Sequence, residues 1–194
     1  MATPIQTMDT ETLRRVRTES ELIHSPEAVE LALDRMAAAV TERLGGSDLV
    51  LLAVMTGGMI PAVWLSTRLA FPHQLDYAHA TRYVGSTRGG DLRWLARPRL
   101  PLAGRVVLVV DDILDEGITL REMATYCRDQ GASEVLTAVL VRKQHDRAVG
   151  GVEADFVGLQ VPDRYVFGCG MDFHEYFREL TSIYALPAEM EDGI

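Results

Sequence analysis

Two adjacent carboxylates, Asp111 and Asp112, close the apolar run Val106 to Val110, and a short loop through Asp115, Glu116 and Gly117 carries the chain to Thr119 and a helical pattern. Vicinal carboxylates repel each other unless a cation or a multiply hydroxylated group lies between them. A loop that ends at a helix N-terminus offers free N–H groups and the positive end of the helix dipole, a setting that favours phosphate. Acids for hydroxyls beside amides for phosphate suit a sugar phosphate, with a divalent cation offsetting the surplus negative charge. A plainer alternative is that Thr119 and Glu122 form a capping box and that the two acids are a solvated strand end. That alternative explains the pieces but not the whole run of strand, acids, loop and helix.

Lys143 is the second candidate. Of 19 basic Lys and Arg residues it is the sole lysine, and an ammonium can fill roles a guanidinium cannot. It lies in the polar stretch Arg142-Lys143-Gln144-His145, so a solvated lysine is the bland possibility. The histidines at 24, 73, 79 and 174 have no ligand spacing and read as structural or surface residues. Cys127 and Cys169 make neither a disulfide framework nor a zinc cluster.

The elements that must position these groups follow from hydrophobic period and punctuation. The stretch to about Ile23 reads as an extended polar arm. Ser25-Pro26 opens a helix, with Val29, Leu33, Met36, Val40 and Leu44 on one face and Gly45-Gly46 at its end. Asp48 to Met55 is a continuously apolar strand, broken by Thr56-Gly57-Gly58, and Met59 to Leu69 a short helix. Gln74 to Tyr83 and Leu92 to Ala96 are expected strands flanking the glycine-rich loop Gly85 to Gly90, which could open and close. Strands are expected again at Arg105 to Val110, Glu134 to Val141, Phe156 to Gln160 and Tyr165 to Cys169, a helix at Thr119 to Gln130, and a last helix carrying Phe173, Tyr176, Phe177 and Leu180.

Strands alternating with helices predict an α/β fold with a mostly parallel central sheet flanked by helices. Functional loops then belong at the C-terminal strand ends. The chain has 194 residues, enough for one domain with a real core. Its net charge of −9 disfavours non-specific nucleic-acid binding, which needs Lys and Arg to neutralise phosphates. The longest apolar run, Leu49 to Met55, is too short to span a bilayer, and Met1 to Ser20 has no secretory h-region. The expected setting is cytoplasmic.

The segment from Val106 to Thr119 resembles the phosphoribosyl-pyrophosphate motif of the type I phosphoribosyltransferases: apolar strand, two acids, two apolar residues, then Asp-x-Gly-x-Thr. The stretch Asp155 to Leu180 resembles the closing segment of the hypoxanthine-guanine phosphoribosyltransferases, so the likeness covers roughly Asp48 to Leu180. It implies a single domain over 1–194, with a core of about 25–160 and a small hood from about 1–24 and 161–194. It also implies Mg²⁺-dependent transfer of phosphoribosyl to N9 of hypoxanthine or guanine, releasing pyrophosphate.

By the same resemblance, Asp111 and Asp112 hold the ribose 2′- and 3′-hydroxyls and a metal, and Asp172 binds a second Mg²⁺ near pyrophosphate. Asp115, Glu116, Gly117, Ile118 and Thr119 wrap the 5′-phosphate, and Asp115 is the general base. Thr56, Gly57 and Arg178 bind pyrophosphate, the Thr56 loop through a non-proline cis peptide. Lys143, Tyr165 and Val166 bind the purine, with Lys143 on its 6-oxo oxygen. Arg82 and Tyr83 stand at the base of a flap over 84–93. A homodimer or homotetramer is implied. Three positions depart from the family's habit: Thr56 replaces Lys or Arg, Glu116 replaces Ser or Thr, and Arg82 replaces Ser. The central motif also serves xanthine, adenine, orotate and uracil transferases. A non-catalytic phosphoribosyl-pyrophosphate-sensing regulator is the other class of alternative, although no basic face or nucleic-acid-binding domain accompanies the motif.

Overall fold

The structure, a computed structural model, describes residues 7–82, 92–145 and 153–191. Among them the chain forms two sheets. The larger joins β2 (Leu49–Val54), β3 (Gln74–Arg82), β4 (Leu92–Ala96), β5 (Val106–Leu114), β6 (Glu134–Lys143) and β7 (Phe156–Val161) in the order β4-β3-β2-β5-β6-β7. Every neighbouring pair is parallel except β3 with β4. Leu49 to Leu52 and Val107 to Val110 are 0% exposed, as continuous apolar strands covered on both faces must be.

Helix α2 (Pro26–Leu44) and helix α3 (Met59–Ser66) cover one face. Helix α4 (Ile118–Asp129) covers the other, with Leu120, Met123 and Cys127 packed against Val107, Val109 and Val139. The Ser25 side chain accepts from Ala28 N and so caps α2, with Pro26 in its first turn, as the sequence predicts. From β2 the chain winds outward to β3, and from β5 it winds the other way to β6. The crevice outside the C-terminal ends of β2 and β5 is therefore the switch point where such sheets bind ligands.

A second, three-stranded antiparallel sheet, β1 (Glu21–His24), β9 (Ile183–Ala185) and β8 (Val166–Phe167), stands over the strand ends. It joins residues far apart in sequence, which no local pattern announces. The N-terminal stretch departs from the extended arm expected of it. Thr10–Glu19 is a helix, α1, whose first turn is capped by the Asp9 carboxylate accepting from Thr12 N. Val16 is its one buried residue and packs with Phe167, Phe173 and Leu186.

The expected last helix is also absent from the described residues. Phe173 and Tyr176 instead exchange two backbone hydrogen bonds of 2.9 Å across a tight turn. His174, Glu175 and Phe177 have φ of 48°, 70° and 72°, a left-handed backbone that a right-handed helix excludes. The aromatic side chains that mimic helical spacing fill the hood core, with the Phe167 and Phe177 rings 5.4 Å apart. A short helix, α5 (Ala188–Glu191), follows β9. No described helix is long and apolar enough to cross a membrane.

Candidate active site

Strand β5 does not stop where the apolar run stops. It carries Asp111 and Asp112 inside the sheet, with Asp111 opposite Val139 and Leu114 opposite Arg142. The acids are thus held by the ladder and are not a solvated strand end. Asp111 Oδ1 accepts from Asp112 N at 2.9 Å, and Asp112 Oδ1 accepts from Ile113 N at 2.7 Å. Burial, then the neighbouring Asp112 charge, pushes the Asp111 carboxyl well above the usual carboxylate range. Burial pushes Asp112 up as well, with the Arg178 guanidinium pulling the other way. A raised carboxyl pair is a site short of positive charge.

The loop after β5 turns at Gly117, whose φ of 78° is the left-handed conformation glycine takes without penalty, and α4 begins at Ile118. Gly117 is the N-cap residue and no side chain caps this helix, so Thr119 does not act as the capping-box residue. Asp111, Asp112, Asp115, Glu116, Gly117, Ile118 and Thr119 line a cavity of about 210 Å³ in front of that helix start. A second cavity of about 190 Å³ is lined by Asp112, Ile113, Asp115, Lys143, Tyr165, Val166, Met171 and Asp172. Asp112, Ile113 and Asp115 line both and form a common wall. A larger cavity of about 260 Å³ in the hood lies against Met8, Arg15, Phe173 and Glu189, and its described lining includes no residue of the run from Asp111 to Thr119.

Asp115 sits between two cations or donors: Lys143 Nζ lies 3.2 Å from Oδ2, and the His145 ring Nε2 lies 2.6 Å from Oδ1. Burial raises the Asp115 carboxyl, but the Lys143 ammonium and His145 outweigh it and leave the group below its ordinary value. Sequence reasoning missed His145. Its signal was its place two residues beyond the singular lysine. Ile113 and Met171 were missed as well, being apolar residues with no chemical signature.

The other expected residues gather around Asp112. The Met55–Thr56 peptide is cis, where the cis bond was expected. A Cβ at Gly57 would lie 1.8 Å from Asp112 Oδ2, and one at Gly170 would lie 2.2 Å from the Gly57 carbonyl oxygen. The loop after β2 is therefore in direct contact with the acid pair and with Gly170. Gly57→Ala is expected to push Asp112 from its position, destabilise the fold by about 1–3 kcal/mol as overpacking does, and weaken sugar-phosphate binding. A thermal melt with a binding titration checks it.

Arg178 donates to Gly170 O at 2.7 Å and pairs with Asp172 Oδ1 and Glu175 Oε2, each at 2.8 Å. Its Nε is buried without a hydrogen-bond partner. Asp172 Oδ2 accepts from Glu175 N, and the Tyr165 hydroxyl donates to Asp172 O at 3.0 Å. Asp172 therefore sits in a tight turn and is no helix cap. Arg82 closes β3, whereas Tyr83 and most of the expected flap lie outside the described residues. No described group of three or more His, Cys, Asp or Glu side chains is placed to hold a metal by itself.

A family model, the phosphoribosyl transferase domain, matches residues 19–173. The chain is 31% identical over 160 residues to the hypoxanthine-guanine phosphoribosyltransferase of Homo sapiens, covering 77% of this chain and 73% of that protein. Its fold is similar to a hypoxanthine phosphoribosyltransferase from Staphylococcus aureus, with a TM-score of 0.83 and 22% identity over 95% of this chain and 98% of the other. A hypoxanthine-guanine phosphoribosyltransferase from Bacillus anthracis gives a TM-score of 0.79 at 24% identity, over 86% and 98% of the two chains.

Proposed function

This chain belongs to the phosphoribosyl transferase family, and we propose that it is a purine-salvage enzyme that transfers 5-phosphoribosyl from phosphoribosyl pyrophosphate to N9 of hypoxanthine or guanine, giving IMP or GMP and pyrophosphate. The observation that carries this is the wall of Asp112, Ile113 and Asp115 shared by two cavities. One cavity has amides and hydroxyls for a phosphate, and the other has an ammonium and an aromatic ring for a base. A ribose spanning the wall would bring its anomeric carbon to the purine. The core sheet and hood act as one domain in the cytoplasm. Exposed apolar side chains on β3 and β4, such as Leu75, Tyr77 and Leu95, support a homodimer or homotetramer.

Each residue has a role the geometry supports. The N–H groups from Asp115 to Thr119 take the 5′-phosphate at the start of α4. Asp111 and Asp112 accept from the ribose 2′- and 3′-hydroxyls. Thr56 and Gly57 offer main-chain donors to pyrophosphate, and Arg178, already beside Gly170, adds charge to the same corner. Tyr165 stacks on the purine, Val166 meets its edge with main-chain groups, and Lys143 donates to the 6-oxo oxygen, which an adenine amino group could not accept.

The donor set fits magnesium: adjacent hard carboxylates lifted by burial, with substrate oxygens completing the shell as this cation prefers. Asp111 and Asp112 would hold one Mg²⁺ and Asp172 a second, and the chemistry these ions would supply is to neutralise charge on the departing pyrophosphate. Asp172 exchanges its Arg178 contact for that role. Bond breaking at the anomeric carbon leads, so the ribose becomes oxocarbenium-like and the protein's work is positioning and electrostatics. Asp115 takes the purine N7 proton as the new bond forms.

The test is nucleotide formation from hypoxanthine, guanine, xanthine and adenine with phosphoribosyl pyrophosphate, with and without Mg²⁺. IMP and GMP should form only with Mg²⁺, and no nucleotide from any 6-oxopurine would refute the proposal. Lys143→Gln is expected to raise the KM for hypoxanthine and guanine far more than that for phosphoribosyl pyrophosphate. Equal rises would remove it from the base.

A further inference from the structure

Lys143 and His145 approach Asp115 from the same side of one strand end. Gln144, between them, turns the other way, its side chain donating to Gln160 Oε1 at 2.7 Å and its backbone N–H to Val161 O at 2.9 Å. The alternation of an extended chain thus sends the two flanking side chains to the same carboxylate. They are unlike partners. Lysine is a point charge on a flexible stem with rotatable donors, whereas the imidazole is a rigid ring with few torsions. The His145 side chain is only 6% exposed and that of Lys143 15%. An ionised carboxylate can only accept, so the His145 Nε2 facing Oδ1 at 2.6 Å carries the hydrogen.

On the function proposed above, the Lys143 ammonium is required at the purine oxo oxygen, so its donors are drawn from Asp115 Oδ2 toward the base when the base arrives. The contact from His145 Nε2 to Oδ1 is independent of that change. We propose that His145 is the positioning residue of Asp115: its Nε2–H holds Oδ1 while Lys143 transfers to the base, which leaves Oδ2 aimed at the purine N7 proton. Of these two partners, Lys143 is the one that exchanges and His145 the one that stays. The inference rests on Asp115 being the base.

The test is steady-state kinetics of His145→Gln and His145→Asn, each alone and combined with Asp115→Asn. The glutamine amide nitrogen matches Nε2 and can reach Oδ1, whereas asparagine is as polar but too short. His145→Asn should lower kcat about 10–100-fold, the scale of a misaligned catalytic group. The KM for phosphoribosyl pyrophosphate should stay within about twofold, because the loop main chain that takes the phosphate is untouched. His145→Gln should recover most of the loss, and neither change should matter further once Asp115 is asparagine. Equal kcat for the glutamine and asparagine variants, or an undiminished His145→Asn effect in the Asp115→Asn background, would overturn the proposal. A severe Asp115→Asn defect with a silent His145→Asn would sink this inference alone, while a silent Asp115→Asn would sink the assignment of the base as well.

Discussion

Replacing Asp115 by asparagine is expected to lower turnover about 10²–10⁴-fold, the range a positioned general base contributes, while phosphoribosyl pyrophosphate binds nearly as before. The two effects separate because the proposed function gives the residue two roles. Its backbone belongs to the loop proposed to take the phosphate and survives the change. Its carboxylate, which asparagine cannot replace as a proton acceptor, touches Lys143, a residue lining the other cavity. Lys143 and His145 hold that carboxyl below its usual range, so it is ionised and ready to accept a proton throughout the neutral region. A lowered carboxyl contributes stability that is fully present above its unfolded value of 3.8 and is lost as pH falls through the folded one. The variant should therefore melt lower than the parent at neutral pH, with the gap closing in acid. Single-turnover kinetics with a binding titration measure the first effect, and melts across pH the second.

The acid pair should behave in the opposite sense. Asp111→Asn with Asp112→Asn is expected to abolish nucleotide formation and to raise the melting temperature of the ligand-free protein at neutral pH. The folded-state carboxyls are raised, first by burial, so their charged forms are disfavoured in the fold. Stability associated with them is fully present below the unfolded value of 3.8 and is lost as pH rises through the folded values. Removing the charges removes that loss. Backbone hydrogen bonds to both side-chain oxygens can be kept by asparagine, so the fold should tolerate the change. A gain in stability joined to a loss of activity is the signature of a site built for ligand and not for folding. Retained activity would dismiss the ribose assignment, and a lower melting temperature would mean that the pair is structural.

Much of this was legible before any coordinates, for a physical reason. The parallel sheet is written in uninterrupted apolar runs such as Leu49 to Val54 and Val106 to Val110, and helix α2 in an apolar face opened by Ser25-Pro26. These signals are local and strong. The loop from Asp115 to Thr119 was legible because its strand, acids, glycine and helix are contiguous. In the hood, β8 falls within the strand expected at Tyr165 to Cys169, but the pairing of β1 with β9 was not legible, because both strands are short and lie more than a hundred residues apart. The run Phe173 to Leu180 was misread as a helix because aromatic side chains filling a core from a turn can share helical spacing. Helix α1 was hidden by a polar sequence in which only Val16 is buried. His145 escaped because its role is conferred by Asp115, a residue thirty positions earlier.

The central claim is that β5 and the loop after it grip one activated pentose by both its hydroxyls and its phosphate. The most direct measurement is a crystal structure of the protein with phosphoribosyl pyrophosphate and Mg²⁺. The account predicts the 5′-phosphate on the N–H groups of Asp115 to Thr119 and the ribose hydroxyls on Asp111 and Asp112. A saturated crystal in which that cradle stays vacant, with the two carboxylates turned into ion pairs with arginines, would contradict it.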